Sequence, residues 1–117
     1  MEPFVVALCG SLREESTTRL ALEHALDAAA EAGARTELID LRKWDLPLFD
    51  PDDRDRGDAE RLRRVVGDAD AVLMGTPVYH GMVSSALKSA FDYLGRDEFD
   101  DTTVGLLATA GGGSYAQ

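Results

Sequence analysis

The sequence predicts an α/β domain built on a doubly wound parallel sheet with helices on both faces. Two apolar runs, 4–9 and 71–74, are nearly continuous, as in strands that are covered on both faces. Amphipathic helical segments alternate with these runs, and most β-to-α connections are short. Such alternation is typical of a parallel sheet, whose ligands bind at the carboxyl edge where the strand order reverses. Functional residues are therefore expected in the loops that follow the strands.

Four strands and three helices are predicted in alternation. The first strand covers 4–9, and the first helix covers 17–32, with a hydroxyl cap from among Ser16, Thr17 and Thr18 and a stop at Gly33. Its residues expected to face the sheet are Leu20, Ala25, Leu26 and Ala29. The later elements are expected at 35–41 (strand), 58–66 (helix), 69–75 (strand), 84–94 (helix) and 102–108 (strand). In the third helix, the spacing i, i+3, i+4, i+7 predicts a buried stripe of Leu87, Ala90, Phe91 and Leu94.

Length, charge and cysteine content limit the possible classes of protein. A chain of 117 residues is expected to form one domain, and its net charge of −10 argues against nonspecific nucleic-acid binding, which needs a basic face. No apolar run is long enough for a membrane helix and no signal-peptide pattern is present, so neither a membrane segment nor a leader is expected. The single cysteine, Cys9, excludes an intrachain disulfide and a cysteine-based zinc site, which favours a cytoplasmic protein.

The charged residues are unevenly distributed among residue types. Ten arginines stand against two lysines, and 14 of the 22 acidic residues are aspartate. An aspartate-rich, lysine-poor surface is best tolerated where salt screens the self-repulsion. We therefore interpret the composition as a halophile-like adaptation, with an ordinary acidic cytosolic protein as the alternative.

A hydroxyl-rich turn with one arginine follows the first strand. Gly10, Ser11, Arg13 and Ser16 form the pattern G-S-x-R-x-x-S ahead of the first helix. The N-terminus of a helix presents free N–H groups and the positive end of the helix dipole to an anion, and arginine adds a fork of donors that suits phosphate. The spacing matches neither a Walker A loop nor the dinucleotide pattern G-x-G-x-x-G. A phosphate monoester is therefore the expected ligand.

A second loop, 77–81 (Pro-Val-Tyr-His-Gly), precedes the helical segment 86–94 (Ala-Leu-Lys-Ser-Ala-Phe-Asp-Tyr-Leu). Together with the first motif, it resembles the NAD(P)H-dependent FMN reductase family of flavodoxin-like proteins, which includes quinone, azo-dye and chromate reductases. The resemblance extends from Val5 to Gly113. Because the family continues past the third loop with a helix, a fifth strand and a last helix, the resemblance implies that a C-terminal strand and helix are missing from this chain.

The resemblance implies an FMN site made of three loops. The phosphate would be held by the first loop and the start of the first helix, at Ser11, Arg13, Ser16, Thr17 and Thr18. The isoalloxazine ring would be lined by the second loop, mostly through backbone groups, at Pro77, Val78, Tyr79, His80 and Gly81. The third loop would approach the far side of the ring, at Gly111, Gly112 and Gly113.

The resemblance also implies a reaction. NADPH or NADH would reduce bound FMN, and a small-molecule acceptor (a flavin, a quinone, an azo compound or a metal oxyanion) would then take the electrons in a ping-pong sequence. The flavin carries this chemistry, so no catalytic side chain is predicted. A homodimer or homotetramer is implied, with the third helix and the segment 44–49 as candidate contacts. A flavodoxin-type electron carrier without substrate turnover is the alternative, and Arg13 favours the reductase.

If the halophile interpretation is correct, the stability of the protein should rise with salt. Screening weakens the repulsion among the 22 acidic side chains, so molar KCl is expected to raise the melting temperature. The measurement is thermal unfolding followed by circular dichroism across a KCl series. Complete folding at low salt, with no gain in melting temperature at molar salt, would contradict the interpretation.

Overall fold

One sheet of four parallel strands organises residues 2–111, which are the residues described by the structure, a computed structural model. The elements in chain order are β1 (Phe4–Cys9), α1 (Thr17–Glu31), β2 (Arg35–Asp40), α2 (Ala59–Asp68), β3 (Ala71–Pro77), α3 (Ser85–Asp92) and β4 (Thr103–Thr109). The strand order is β2-β1-β3-β4, and every adjacent pair is parallel. The chain moves outward from β1 to β2 and then reverses to β3 and β4, which is the flavodoxin-like, doubly wound order. The predicted fold class is confirmed.

The two faces of the sheet are covered by different helices. In β1, Ala7 and Cys9 point to one face, where they belong to a core shared with α1. Val6 and Leu8 alternate with them and point to the other face, where they join a larger core with buried residues of α2 and α3. All four side chains are fully buried. Burial on both faces explains why the apolar run of β1 is continuous.

The buried face of α1 differs from the prediction. Leu20 is 55% exposed, and the stripe that faces the sheet consists of Thr18, Leu22 and Leu26. Residues two positions apart point to nearly opposite sides of a helix, so Leu20 cannot share the face of Leu22. The bounds of two other elements also differ from the prediction. Strand β3 begins two residues later than predicted, and Gly67 lies inside α2 rather than ending it.

Some apolar side chains of α3 and β4 lack cover among residues 2–111. Phe91 was predicted to be buried, but it is 46% exposed and stacks on Phe99, with ring centroids 5.8 Å apart. On the edge strand β4, Leu106 is 82% exposed and Val104 is 45% exposed. The register with β3 places both on the face that carries α2 and α3. That further C-terminal elements belong to the protein stays a prediction.

The carboxyl ends of β1 and β3 approach each other closely. The N–H of Gly10 donates to the carbonyl oxygen of Gly75 at 2.8 Å, and Ser84 Oγ donates to the carbonyl oxygen of Gly10 at 2.7 Å. A Cβ atom at Gly10 would lie 2.9 Å from Leu87 Cβ, and one at Gly75 would lie 2.7 Å from Leu22 Cδ1. Glycine at these positions therefore lets α3 and α1 pack directly against the strand ends.

Replacement of Gly10 by alanine is expected to reduce the free energy of unfolding by about 1–3 kcal/mol, because the added methyl group pushes α3 away from β1. The measurement is urea unfolding followed by circular dichroism. Gly67→Ala is the matched control, since Gly67 lies in α2 with no atom of the described residues within 4 Å of an added Cβ. Alanine favours helices, so the control should be as stable as the parent or more stable. Equal stability of the two variants would contradict this account of the packing.

Candidate functional site

The loops that follow β1, β3 and β4 enclose a cleft of about 270 Å³ at the carboxyl edge of the sheet. The cleft lies where β1 and β3 are neighbours and the strand order reverses, which is where doubly wound sheets bind ligands. Its lining residues are Ser11, Arg13, Ser16, Thr17, Thr18, Pro77, Val78, Tyr79, Thr109, Ala110 and Gly111. The three loops that the sequence singled out therefore meet in one place.

Ser16 begins α1 at the edge of the cleft. Its backbone is extended, and its Oγ accepts a hydrogen bond from the N–H of Arg19 at 3.0 Å, so among the candidate caps Ser16 is the one used. The other N–H groups of a first helical turn have no acceptor within the helix. Those of Thr17 and Thr18 therefore remain for a ligand or for water. This is the geometry of an anion site at a helix N-terminus.

Ser11 and Arg13 add donors beside this helix end. Ser11 is 2% exposed, and its Oγ accepts a hydrogen bond from the N–H of Arg13 at 3.4 Å, which leaves the hydroxyl proton of Ser11 free to donate. The Arg13 side chain is exposed, and among the described residues its guanidinium forms no ion pair. Because no carboxylate of the described residues binds it, this guanidinium is available to an anion in the cleft.

Thr109 holds the three loops together. Its Oγ1 lies 2.7 Å from Oγ1 of Thr18 in α1, and Thr18 is 2% exposed. Its carbonyl oxygen accepts a hydrogen bond from the N–H of Val78 at 2.9 Å. Sequence reasoning assigned Thr18 to the phosphate and did not single out Thr109. Since the hydroxyl of Thr18 is engaged by Thr109, its backbone N–H is the group that stays available.

The second loop is a two-residue β-hairpin. Tyr79 and Met82 exchange both backbone hydrogen bonds, each at 3.0 Å. His80 has φ 53° and Gly81 has φ 75°, and positive φ at both central positions is characteristic of a type I′ turn. Tyr79 lies at the start of this turn and lines the cleft, and 49% of the surface of Tyr79 is exposed. His80 and Gly81 occupy the tip of the turn.

Thr76 and Ser84 anchor this hairpin to the strand ends. The Oγ1 of Thr76 accepts a hydrogen bond from the N–H of Ser84 at 2.9 Å, and both residues are buried. Ser84 Oγ caps α3 by accepting from the N–H of Leu87 at 3.1 Å, and it donates to the carbonyl oxygen of Gly10. One buried serine therefore connects the second loop, the start of α3 and the first loop.

Nine of the predicted site residues line the cleft, and two of the described ones do not. His80 and Gly81 lie at the tip of the hairpin, outside the lining. Gly112 and Gly113 lie outside the described residues. Thr109 and Ala110 line the cleft without having been predicted, although they follow β4 at the same edge as the other loops. Their position after the last strand was the signal that could have identified them.

The electrostatics of the cleft differ from those of the chain as a whole. The chain has 22 acidic residues and a net charge of −10. Among the described residues that line the cleft there is no aspartate or glutamate, and Arg13 carries the charge. Asp40, the last residue of β2, is bound to Arg19 Nε at 2.9 Å and does not line the cleft. The cleft therefore favours an anion in a protein that otherwise repels anions.

Other surfaces of residues 2–111 offer less specific chemistry. A larger open groove of about 640 Å³ lies at the opposite edge of the sheet and is lined by Arg54, Arg63, Arg64, Gly67, Gly95, Arg96, Asp97 and Glu98. Its Arg63 is already bound to Asp55 Oδ1 at 2.6 Å. Within the same residues no cluster of three or more His, Cys, Asp or Glu side chains could hold a metal ion, and no helix has the length and apolar character to cross a membrane.

Comparison with known proteins identifies the family. Residues 3–117 match the family described as NADPH-dependent FMN reductase. The chain belongs to this family. Membership confirms the family predicted from the two motifs, and it supports FMN as the cofactor with NADPH or NADH as the reductant.

Two named oxidoreductases match most of this chain in sequence, and one solved structure shares its fold. An NADPH azoreductase of Bacillus sp. (strain OY1-2) is 37% identical over 111 residues, which are 93% of this chain and 60% of that protein. An NADPH:quinone oxidoreductase of Arabidopsis thaliana is 34% identical over 116 residues, 92% of this chain and 58% of that protein. The crystal structure of the apo form of the NADH:FMN oxidoreductase EMOB has the same fold, with a TM-score of 0.81 at 24% identity over 97% of this chain and 61% of that one. The chain thus spans about 60% of the length of these relatives.

Cys9, directly below the first loop, is expected to be an inert thiol. Burial raises the pKa of the Cys9 thiol above its ordinary value of 9.0, and its side chain is fully buried. At pH 8 a disulfide reagent should therefore leave Cys9 unlabelled in the native protein and label it in urea. Because the folded pKa is raised, the unfolded chain releases its proton first, so stability should fall as the pH rises from about 9 toward the folded pKa. Labelling of the native protein as fast as that of the unfolded chain would contradict this assignment.

Proposed function

We propose that this chain binds FMN and forms the flavin-binding part of an NAD(P)H-dependent oxidoreductase. One observation carries the proposal: in an acidic protein, the described residues of this cleft include no aspartate or glutamate and supply an arginine, several hydroxyls and a helix N-terminus. A phosphate monoester carries close to two negative charges at neutral pH. Removing that charge from water requires several strong donors, which the cleft supplies.

The donor set fits the phosphate of FMN. The residues that would hold it are Ser11, Arg13, Ser16, Thr17 and Thr18, through hydroxyl, guanidinium and backbone N–H groups. Thr18 would act through its N–H, because its hydroxyl contacts Thr109. The cleft volume of about 270 Å³ is just below the roughly 300–1,000 Å³ of common small-molecule sites. It is therefore suited to the phosphate end of FMN, with part of the ring outside.

The hairpin after β3 offers a wall for a flat ring. Pro77, Val78 and Tyr79 line the cleft, and Met82, the partner of Tyr79 in the hairpin, is 67% exposed. An aromatic and an apolar side chain on a rigid turn suit an aromatic ligand. We assign His80 and Gly81 to ring contacts through their backbone groups. Gly111, with Gly112 and Gly113 beyond the described residues, would complete the site on the other side.

The reaction we propose needs no proton-transfer side chain from this chain. Bound FMN supplies ping-pong hydride transfer, from NADPH or NADH and then to a flavin, quinone, azo or metal-oxyanion acceptor. The names of the azoreductase and quinone oxidoreductase relatives support an azo compound and a quinone among these acceptors. The residues of the cleft bind the phosphate, orient the ring and keep water from part of it.

We further propose a cytoplasmic homodimer or homotetramer. The segment 44–49 and α3 are the candidate contacts, because Leu48 is 78% exposed and Phe91 is 46% exposed. Large apolar side chains at the surface are common at interfaces between subunits. The location in the cytoplasm rests on the single reduced cysteine.

Replacement of Arg13 by alanine tests the phosphate site. One charge-assisted hydrogen bond contributes about 1.5–3 kcal/mol, so Arg13→Ala is expected to weaken FMN binding by roughly 10- to 100-fold. The measurement is quenching of flavin fluorescence on titration of FMN with protein. Arg64→Ala is the matched control, because Arg64 is an exposed arginine at the opposite edge of the sheet. Equal affinities of the two variants for FMN would contradict the assignment.

Reduction by nicotinamide distinguishes the reductase from the flavodoxin-type carrier. When NADPH or NADH is added without oxygen to the FMN complex of the parent protein, bleaching of the flavin absorbance is the expected result. An FMN complex that neither nicotinamide bleaches would support the carrier instead.

A further inference from the structure

We infer that Arg19 is a positioning residue for the phosphate site: held by Asp40, it binds the outer carbonyl oxygens of the first loop and so turns the N–H groups of the loop toward the cleft. The inference rests on the proposed function, because it concerns affinity for the phosphate of FMN. Arg19 does not line the cleft, so it would act through the loop and not by touching the ligand.

The guanidinium of Arg19 binds three groups at once. Its Nε donates to Asp40 Oδ2 at 2.9 Å, one Nη donates to the carbonyl oxygen of Glu14 at 2.8 Å, and the other donates to the carbonyl oxygen of Arg13 at 2.8 Å. The side chains of Arg19 and Asp40 are only 14% and 8% exposed. The charge of Arg19 is therefore compensated by Asp40, while its remaining donors hold the backbone of the loop.

A second arginine continues the same arrangement. Arg42 Nη1 donates to the carbonyl oxygen of Leu12 at 3.2 Å, and the N–H of Arg42 donates to Asp40 Oδ1 at 3.1 Å. Asp40 is the last residue of β2 and thus a fixed point of the sheet. Three successive carbonyl oxygens of the first loop, at residues 12–14, are consequently drawn toward the carboxyl end of β2.

The direction of these carbonyl oxygens determines the direction of the neighbouring N–H groups, because the two groups belong to the same planar peptide units. The peptide bonds of the described residues are trans, and in a trans peptide the carbonyl oxygen and the following N–H point in opposite directions. Because the carbonyl oxygens of residues 12–14 point toward Arg19 and Arg42, the N–H groups of residues 13–15 point away from these arginines. The N–H of Arg13 follows this rule, since it donates to Ser11 Oγ in the cleft lining.

Lysine at position 19 could not replace this arrangement. The planar guanidinium has five donors in a fixed fork, which lets one side chain bind a carboxylate and two separate carbonyl oxygens. An ammonium group is a compact charge on a flexible stem and would keep the ion pair without the same hold on the loop. Arg19→Lys therefore removes the positioning contacts and preserves the charge.

The chain offers a matched control in Arg63. This arginine also binds one carboxylate and two carbonyl oxygens, those of Asp55, Tyr93 and Arg54, with a side chain that is 22% exposed. Its contacts lie at the other edge of the sheet. Arg63→Lys therefore reproduces the replacement of a guanidinium by an ammonium group, and the expected loss of stability, at a place outside the cleft.

The experiment compares FMN with riboflavin, which lacks the phosphate, as ligands of the 117-residue chain and its variants. Affinities are measured by flavin fluorescence quenching, and melting temperatures are measured without ligand. Arg19→Lys is expected to weaken FMN binding roughly tenfold, the effect of one lost charge-assisted hydrogen bond, and to leave riboflavin binding unchanged. Arg63→Lys is expected to lower the melting temperature by a similar amount and to leave both affinities unchanged.

The remaining outcomes distinguish failure of the positioning role from failure of the proposed function. If the parent chain binds FMN and Arg19→Lys binds it equally well, or loses FMN and riboflavin affinity in the same proportion, the positioning role is wrong while the proposed function stands. If the parent chain binds no FMN, the proposed function fails and the inference with it. Should Arg19→Lys not fold by circular dichroism, Arg42→Lys carries the same comparison, because it keeps the charge and loses the guanidinium that binds the carbonyl oxygen of Leu12; a smaller loss of FMN affinity with unchanged riboflavin affinity is then expected.

Discussion

The site depends on the close approach of β1 and β3 at their carboxyl ends. Gly10 and Gly75 are joined by a backbone hydrogen bond of 2.8 Å, and neither position has room for a Cβ atom. This contact lets α1 leave one face of the sheet while α3 packs on the other, so that the loops after both strands end at one edge. Ser84 then links the second loop to the first, and Thr109 links the third loop to both. The cleft is a consequence of the sheet topology rather than of any single loop.

Charge distribution gives this cleft its chemistry. The chain has a net charge of −10, yet none of the described residues that line the cleft is acidic, and acidic groups outside the lining are engaged by other partners. Asp40 is the clearest case, since Arg19 and the backbone of Arg42 bind both of its oxygens. Arg13 is left without an ion pair among the described residues, close to the N-terminus of α1, where the N–H groups of Thr17 and Thr18 have no acceptor within the helix. Acidic composition and anion binding are therefore compatible in one small domain.

The fold and most of the site could be predicted from the sequence because both depend on local patterns. The continuous apolar run of β1 and the hydroxyl-rich turn after it each identify their own structure, and Ser16 caps α1 as expected. Helix faces were less predictable: Leu20 and Phe91 are exposed because packing by other elements, and not hydrophobicity, selects the buried stripe. The links made by Arg19, Ser84 and Thr109 join residues distant in the chain, and no local pattern identifies their partners. Long-range contacts of this kind appear only when the topology is known.

Binding of the FMN phosphate in the cleft can be measured by titration of the purified 117-residue chain with micromolar FMN. The visible absorbance spectrum of the flavin reports binding, since a ring removed from water shifts and sharpens its bands. If the cleft holds the phosphate, the spectral change is expected to saturate at one FMN per chain. A spectrum identical to that of free FMN throughout the titration, from a chain that circular dichroism shows to be folded, would contradict it.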